Sequence, residues 1–221
     1  MTTLSTVATR AADIKTNPAV RWDAFQRLCE QASDGMLDDL ATLYQAFTPK
    51  TNRRRYTNRF NWLALALAGK DDARYYLRYI QVSDSGAAVA TDGHRLHVTT
   101  LNDRDAGYYR HDGTSTDEDF KYPDAARVLR DAITEDTRPF PEARQAIVPN
   151  PDAHKKADGE AYALELGGDE LVHINRRYAD EAMLGADPAS VRVGWSGNKT
   201  KPVFLNVDSA RFAVVMPVRI D

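Results

Sequence analysis

The sequence predicts an α+β protein in which one pattern, a strand, a helix and then three strands, occurs twice. Apolar residues recur first at helical and then at strand spacing in residues 57–103, and again in residues 169–221. Hydrophobic residues make up 43% of the 221 residues, enough for a substantial core. We therefore expect the two units to form one domain, related by a pseudo-two-fold axis, with both helices on one side of the sheets.

Residues 1–52 are predicted to form a helical extension to this domain. Residues 1–18 are rich in Thr and Ala and end in Asn-Pro, which is typical of a poorly ordered lead-in. Helical stripes of apolar residues follow over residues 19–31 and 36–47, with a Ser-Asp-Gly break between them. This helical hairpin either binds a partner or another copy of the chain, or packs its apolar face on its own domain.

The main domain is expected over residues 53–221. Its first residues belong to a basic run, residues 52–59, which suits either a phosphate contact or a solvated linker. An apolar helix is expected over residues 62–68, with Gly69 near its C-terminal end. Strands are then predicted over residues 74–83, 87–91 and 96–101.

Residues 104–159 are predicted to form an irregular insertion between the two units. Residues 102–119 are acidic and rich in turn-forming residues, which favours a long loop. A short strand over residues 120–122 and a helix over residues 123–133 follow. Four prolines then predict an irregular connector over residues 134–158.

One strand follows this insertion before the second unit, residues 169–221, begins. Strands are predicted over residues 160–166 and 171–174, and Asn175 is a good N-cap for a helix over residues 176–184. Gly185 ends that helix. The last three strands are predicted over residues 191–195, 203–207 and 212–220.

Four short blocks give the chain a resemblance to a known family. Residues 90–96, ATDGHRL, form a predicted hairpin turn and are nearly identical to a stretch of the bacterial DNA polymerase sliding clamps. Residues 72–78, DARYYLR, resemble the family's (D)VRYYL strand, and residues 213–220, AVVMPVRI, resemble its closing YVVMPMRL. Residues 122–129, YPDAARVL, are similar to FPDYRRVL. The chain thus resembles a reduced or phage-like version of the DNA polymerase III beta clamp, with the first half of the middle domain joined to the last half of the third.

This resemblance implies the DNA-clamp fold and a surface pocket for the short clamp-binding peptides of replication proteins. The apolar lining would come from Leu77, Leu96, Val128, Val214, Val215 and Met216. The polar rim would come from Thr91, Gly93, His94 and Arg95. The remaining pocket residues would be Pro123 and Pro217, which stiffen the walls, with Arg127 and Val218. Each of these residues taken singly is equally explained as a core or turn position.

The resemblance also implies a function in DNA replication, with DNA polymerase and other proteins that carry clamp-binding motifs as partners. In one interpretation several copies of the chain form a ring around double-stranded DNA. In the other the chain is a non-encircling adaptor or decoy that captures clamp-binding motifs without loading on DNA. The net charge of −3 decides nothing, because only the distribution of charge matters here. The candidate DNA contacts are Arg53, Arg54, Arg55, Arg59, Lys70, Arg176 and Arg177.

Nothing in the sequence points to catalysis, a metal or a cofactor. His94 and His97 are the only close histidine pair, and side chains three apart on a strand point to opposite faces. Phosphate-binding glycine motifs and nucleophile elbows are absent from the sequence. A single cysteine, Cys29, forms no internal disulfide, and no stretch approaches a membrane-spanning length. We expect a soluble cytoplasmic protein.

Overall fold

The computed structural model describes residues 59–118, 121–132, 134, 137–150, 159–167, 171–195 and 201–219. The predicted helical extension, residues 1–52, and the candidate DNA contacts Arg53, Arg54 and Arg55 lie outside the described residues. The helices are α1 (Arg59–Ala64), α2 (Ala125–Ala132), α3 (Phe140–Ala143) and α4 (Arg176–Ala182). The strands are β1 (Ile80–Val82), β2 (Ala87–Thr91), β3 (Arg95–Thr100), β4 (Gly107–Tyr109), β5 (Ser115–Thr116), β6 (Thr137–Pro139), β7 (Arg144–Pro149), β8 (Glu160–Leu164), β9 (Val172–Asn175), β10 (Arg192–Gly194), β11 (Val203–Asp208) and β12 (Arg211–Val215). Single 3₁₀ turns occupy Tyr75–Arg78 and Pro188–Ser190.

The strands form two antiparallel sheets. The larger has nine strands in the order β5-β4-β1-β2-β3-β12-β11-β10-β6, and the smaller has the order β7-β8-β9. At the centre of the larger sheet β3 pairs with β12, and Leu96 lies opposite Val214. The order β1-β2-β3 on one side mirrors β10-β11-β12 on the other. This symmetry about the β3–β12 pair confirms the predicted α+β fold, and it is what two units related by a pseudo-two-fold axis produce.

Helices α1 and α4 cover the same face of the large sheet, as predicted; we call it the α1/α4 face. Because neighbouring side chains on a strand point to opposite faces, residues alternate between two cores. Val203, Leu205, Ala213 and Val215 pack with α1, α4 and the smaller sheet, whereas Phe204, Phe212 and Val214 pack with α2. We call this second side the α2 face. The sheet therefore separates two apolar layers.

A buried hydrogen bond joins the two helices of the α1/α4 face. The indole N–H of Trp62 in α1 donates to the carbonyl oxygen of Ala182 in α4, 2.8 Å away. The predicted N-cap of α4 is confirmed, because Asn175 accepts a hydrogen bond from the backbone N–H of Tyr178 at 3.2 Å. Gly185 follows α4 with φ of 75°, a conformation that favours glycine. The Asn175 signal thus fixes where α4 begins, whereas the helix ends at Ala182, two residues before the predicted end at residue 184.

The prediction of one strand over residues 74–83 is wrong in its first half. Tyr75–Arg78 is a 3₁₀ turn, and only Ile80–Val82 forms a strand. The Asp72 carboxylate accepts hydrogen bonds from the backbone N–H of Arg74 at 2.8 Å and from its side chain. This local bonding competes with the strand ladder and turns the chain.

The expected irregular insertion is also wrong for its described residues. Strands β4 and β5 extend the large sheet within the predicted loop, and β6, α3 and β7 occupy the predicted connector. Three prolines lie where no backbone donor is required: Pro139 ends the edge strand β6, Pro141 lies in the first turn of α3, and Pro149 ends the edge strand β7. Tyr122 lies outside any strand, contrary to the prediction for residues 120–122.

Candidate functional site

The turn between β2 and β3 is held by its own side chains. The Asp92 carboxylate accepts the backbone N–H groups of His94 and Arg95 at 2.9 and 3.0 Å. The Thr91 hydroxyl accepts the N–H of Gly93 at 3.0 Å and donates to the carbonyl oxygen of Arg95 at 2.5 Å. Asp92 and Thr91 thus fix the turn from both ends.

Glycine is required at the tip of this turn. Gly93 has φ of 87°, and a Cβ atom there would collide with the guanidinium group of Arg74. That guanidinium donates to the carbonyl oxygen of Asp92 at 3.0 Å. Arg74 therefore brings the sequence block at residues 72–78 against the turn.

The segment after β12 lies beside the same turn. The backbone N–H of Met216 donates to the carbonyl oxygen of His94 at 2.8 Å, and the N–H of Val218 donates to that of His173 at 2.8 Å. Strand β12 ends at Val215, earlier than predicted, and Pro217 makes an isolated bridge to Ile174. Because the chain leaves the strand there, the side chain of Met216 is 38% exposed.

The fourth block, residues 122–129, packs against this region on the α2 face of the sheet. The hydroxyl of Tyr122 donates to the carbonyl oxygen of Tyr79 at 3.0 Å, and burial raises the pKa of Tyr122. Leu96, Val214 and Leu129 of α2 belong to one buried cluster, against which Val128 packs. The described residues of the four blocks, which are spread over residues 72–219, therefore lie side by side at one end of β2, β3 and β12.

The structure divides the predicted pocket residues by exposure. Those whose side chains or backbone reach the surface are Gly93, His94, Pro123, Arg127, Val128, Met216, Pro217 and Val218. Those that are buried are Leu77, Thr91, Arg95, Leu96, Val214 and Val215. The first group can contact a ligand directly, and the second group supports the surface from beneath.

Arg95 and Val215 lie on the other side of the sheet from Leu96 and Val214. Val215 packs in the core of the α1/α4 face. The guanidinium of Arg95 is buried on that face over the ring of Tyr178, 4.4 Å from its centroid. Arg95 therefore does not contribute the rim hydrogen bonds expected of it.

Sequence reasoning missed the tyrosines beside this surface. Tyr76 and Tyr79 pack against the α2-face cluster, and Tyr75, 51% exposed, meets the ring of Tyr76 edge-on with centroids 5.9 Å apart. The signal was available, because Tyr75 and Tyr76 are adjacent to Leu77 within a recognised block. Tyrosine combines a large apolar ring with a hydrogen-bonding tip, which suits an exposed contact surface.

The candidate DNA contacts on the described helices have partners within the chain. Arg59 donates to the carbonyl oxygen of Thr100 at 3.0 Å. Arg176 pairs with Glu160 at 2.5 Å and with Asp180 at 3.4 Å. Among the remaining candidates, Arg177 lies 4.0 Å from the Glu181 carboxylate, and Lys70 is exposed. Carboxylates thus surround both arginines of α4.

The two histidines of the hairpin do not share a site. His94 is exposed in the turn, whereas His97 is fully buried and stacks on Trp62 with ring centroids 4.2 Å apart. Within the described ranges, no group of three or more His, Cys, Asp or Glu side chains could hold a metal ion. In the same part of the chain, no helix is long and apolar enough to cross a membrane.

Comparison with known proteins agrees with this architecture. No protein-family model and no curated protein sequence matches the chain. Among solved structures, a DNA polymerase sliding clamp from Pseudomonas aeruginosa matches with a TM-score of 0.50 and 19% identity, over 73% of this chain and 64% of that one. The fold is that of a bacterial sliding clamp.

Other sliding clamps match at lower scores. The clamp of Bacillus subtilis gives a TM-score of 0.44 and 14% identity, over 73% of this chain and 61% of that clamp. The chain therefore spans less than two thirds of the length of these clamps. At such identities the likeness shows the fold alone.

Proposed function

We propose that the chain is a sliding-clamp-like processivity factor for DNA replication, acting in the cytoplasm. In this proposal it binds the clamp-binding peptides of DNA polymerase and associated proteins on the surface around Gly93, His94 and Met216. The observation that carries the proposal is the convergence of four sequence blocks. Hydrogen bonds link Arg74 to Asp92, His94 to Met216, and Tyr122 to Tyr79.

The surface has the chemistry that a short linear peptide requires. Met216 offers an exposed and adaptable thioether, and Val128 and Pro123 offer partly exposed apolar surface. His94 and Gly93 present a turn whose conformation is set before binding. Because the turn is already ordered, little conformational entropy is lost when a peptide binds.

Buried residues of the same blocks hold this surface in place. Leu96 and Val214 are opposite each other on adjacent strands and are 4% and 1% exposed. Leu77, 2% exposed, anchors the 3₁₀ turn that carries Tyr75 and Tyr76. We propose that these buried residues act as scaffold, and that the exposed group makes the contacts.

A labelled peptide with a glutamine and two apolar anchors tests this proposal by fluorescence anisotropy. We expect micromolar affinity, equivalent to about 8 kcal/mol. Met216→Ala removes an exposed anchor and should weaken binding by about 1 to 2 kcal/mol. The matched control is Leu184→Ala, because Leu184 is 61% exposed and follows α4 on the opposite side of the sheet. If the unaltered chain shows no binding at high micromolar peptide, the proposed function is wrong.

Encirclement of double-stranded DNA is a separate part of the proposal. One clamp-type domain cannot close a ring, so several copies must assemble, with Lys70, Arg59, Arg176, Arg177 and residues 53–55 as candidate DNA contacts. Light scattering at micromolar concentration, followed by retention on circular DNA, tests this part. A strict monomer that binds the peptide but is not retained would leave the non-encircling adaptor as the function.

A further inference from the structure

We infer that Arg95 and Glu181 are positioning residues, whose ion pair holds the peptide-binding turn in place from the α1/α4 face of the sheet. This inference rests on the proposed peptide site. The binding surface on one side of the sheet would then depend on helix α4, which lies on the other side. Neither side chain would touch the peptide itself.

Every nitrogen of the Arg95 guanidinium has a partner. Nε lies 3.1 Å from the second carboxylate oxygen of Asp92 in the turn. One terminal nitrogen pairs with the Glu181 carboxylate of α4, and the other donates to the carbonyl oxygen of Leu65 just after α1. The ring of Tyr178, a residue of α4, lies against the Arg95 guanidinium. Arg95 therefore connects the turn to both helices of its face.

The contacts continue from Arg95 to the exposed surface. One oxygen of Asp92 binds the Arg95 side chain, and the other accepts the backbone N–H of His94 at 2.9 Å. The carbonyl oxygen of His94 in turn accepts the N–H of Met216 at 2.8 Å. The orientation of Asp92 thus sets the backbone of both surface residues, and Arg95 sets the orientation of Asp92.

Glu181 is needed to keep Arg95 in this position. The Arg95 side chain is 4% exposed, so its charge is removed from water and depends on its two carboxylate partners. Without the Glu181 charge, the Arg95 guanidinium would move closer to Asp92, or a water molecule would enter beside it. Either change alters the turn, because the same Asp92 carboxylate holds the N–H of His94.

Glu181→Gln tests the inference, because it keeps the shape of the side chain and removes its charge. We expect peptide affinity to fall about fivefold, a size common for coupled neighbours, and the amide resonances of His94 and Met216 to shift in the peptide-free protein. Arg95→Gln should do the same. The double variant should be no weaker than Arg95→Gln alone, because both changes break one connection.

The matched control is Glu160→Gln. Glu160 also pairs with an arginine of α4, Arg176, but that pair is exposed and has no contact with the turn among the described interactions. The peptide affinity of the Glu160→Gln variant, and its His94 and Met216 amide resonances, should equal those of the unaltered chain. Glu181→Asp, which restores the charge, should recover part of the affinity and of the resonance positions.

The outcomes separate this inference from the proposed function. If the unaltered chain does not bind the peptide, the proposed function is wrong and the inference falls with it, whatever the resonances show. If it binds, and Glu181→Gln binds equally well with unmoved His94 and Met216 resonances, the positioning role is wrong and the proposed function stands. Should Glu181→Gln lower the thermal midpoint too far for a comparison, Arg95→Gln, which removes the same ion pair from its other end, decides: an affinity loss and moved His94 and Met216 resonances support the inference, and unchanged values overturn it.

Discussion

His97 should make the stability of the protein depend on pH between neutrality and about pH 5. Its Nδ1–H donates to the carbonyl oxygen of Trp62, 2.9 Å away, so the unprotonated nitrogen of the neutral ring is Nε2. Nε2 is buried and has no hydrogen-bond partner in the described structure. Burial, and then the neighbouring charges of Arg95 and Arg211, lower the pKa of His97 from 6.5 to about 3.

The sign of the effect follows from this shift. Between pH 6.5 and about 3, His97 is protonated in the unfolded chain but neutral in the folded protein. The unfolded state therefore binds more protons, and stability is lost as the pH falls below 6.5. At about pH 5 the expected loss is about 2 kcal/mol relative to about pH 7.5, at about 1.4 kcal/mol for each pH unit.

Urea unfolding at these two pH values measures the loss. His97→Phe retains a flat ring beside Trp62 and removes the titrating group, so its free energy of unfolding should change by about 2 kcal/mol less between the two pH values. His111→Gln is the control, because His111 is exposed, and it should change as much as the unaltered chain. An equal change in His97→Phe and the unaltered chain would refute the reasoning.

Three further substitutions test the fold. Trp62→Phe deprives the Ala182 carbonyl of its donor and should lower the free energy of unfolding in urea by about 1 to 3 kcal/mol. Gly93→Ala forces a side chain against Arg74 at positive φ, and should cost about 1 to 3 kcal/mol and also weaken peptide binding in the anisotropy assay. Asn175→Ala removes the cap of α4 and should lower the thermal midpoint, by the equivalent of about 1 kcal/mol; an unchanged midpoint would contradict the capping role.

The elements that the sequence predicted well are those with local signals. The Asp92-Gly93 turn and the Asn175 cap each depend on side chains within three residues of the backbone that they bond. The 3₁₀ turn at Tyr75–Arg78 was missed because its aromatic residues have high strand propensity, whereas Asp72, outside the run, decides the conformation. Strands β6 and β7 were missed because prolines suit an edge strand as well as a loop.

The orientation of Arg95 could have been predicted. Arg95 and Leu96 are neighbours on one strand, so their side chains must point to opposite faces, and the same holds for Val214 and Val215. The resemblance of whole blocks to the clamp pocket led to the prediction that all four residues line that pocket, on one side of the sheet. The two-residue period of the strand predicts that Arg95 and Val215 point away from the peptide surface. It does not predict the partner of Arg95, because Glu181 lies 86 positions away and meets Arg95 only in the folded chain.

The central pairing of β3 with β12 determines how early the proposed peptide surface can form while the chain is being synthesised. The partners Leu96 and Val214 are separated by 118 positions, from 214 minus 96, so the pairing at the middle of the large sheet closes a loop that contains most of the described chain. Such distant pairing is slow, because the loop must close before the contact stabilises it. A nascent chain that carries β3 but not yet β12 lacks Met216 and the partner of the His94 carbonyl. A growing chain on a ribosome therefore lacks part of the surface that we propose as the peptide site until β12 and Met216 have been made.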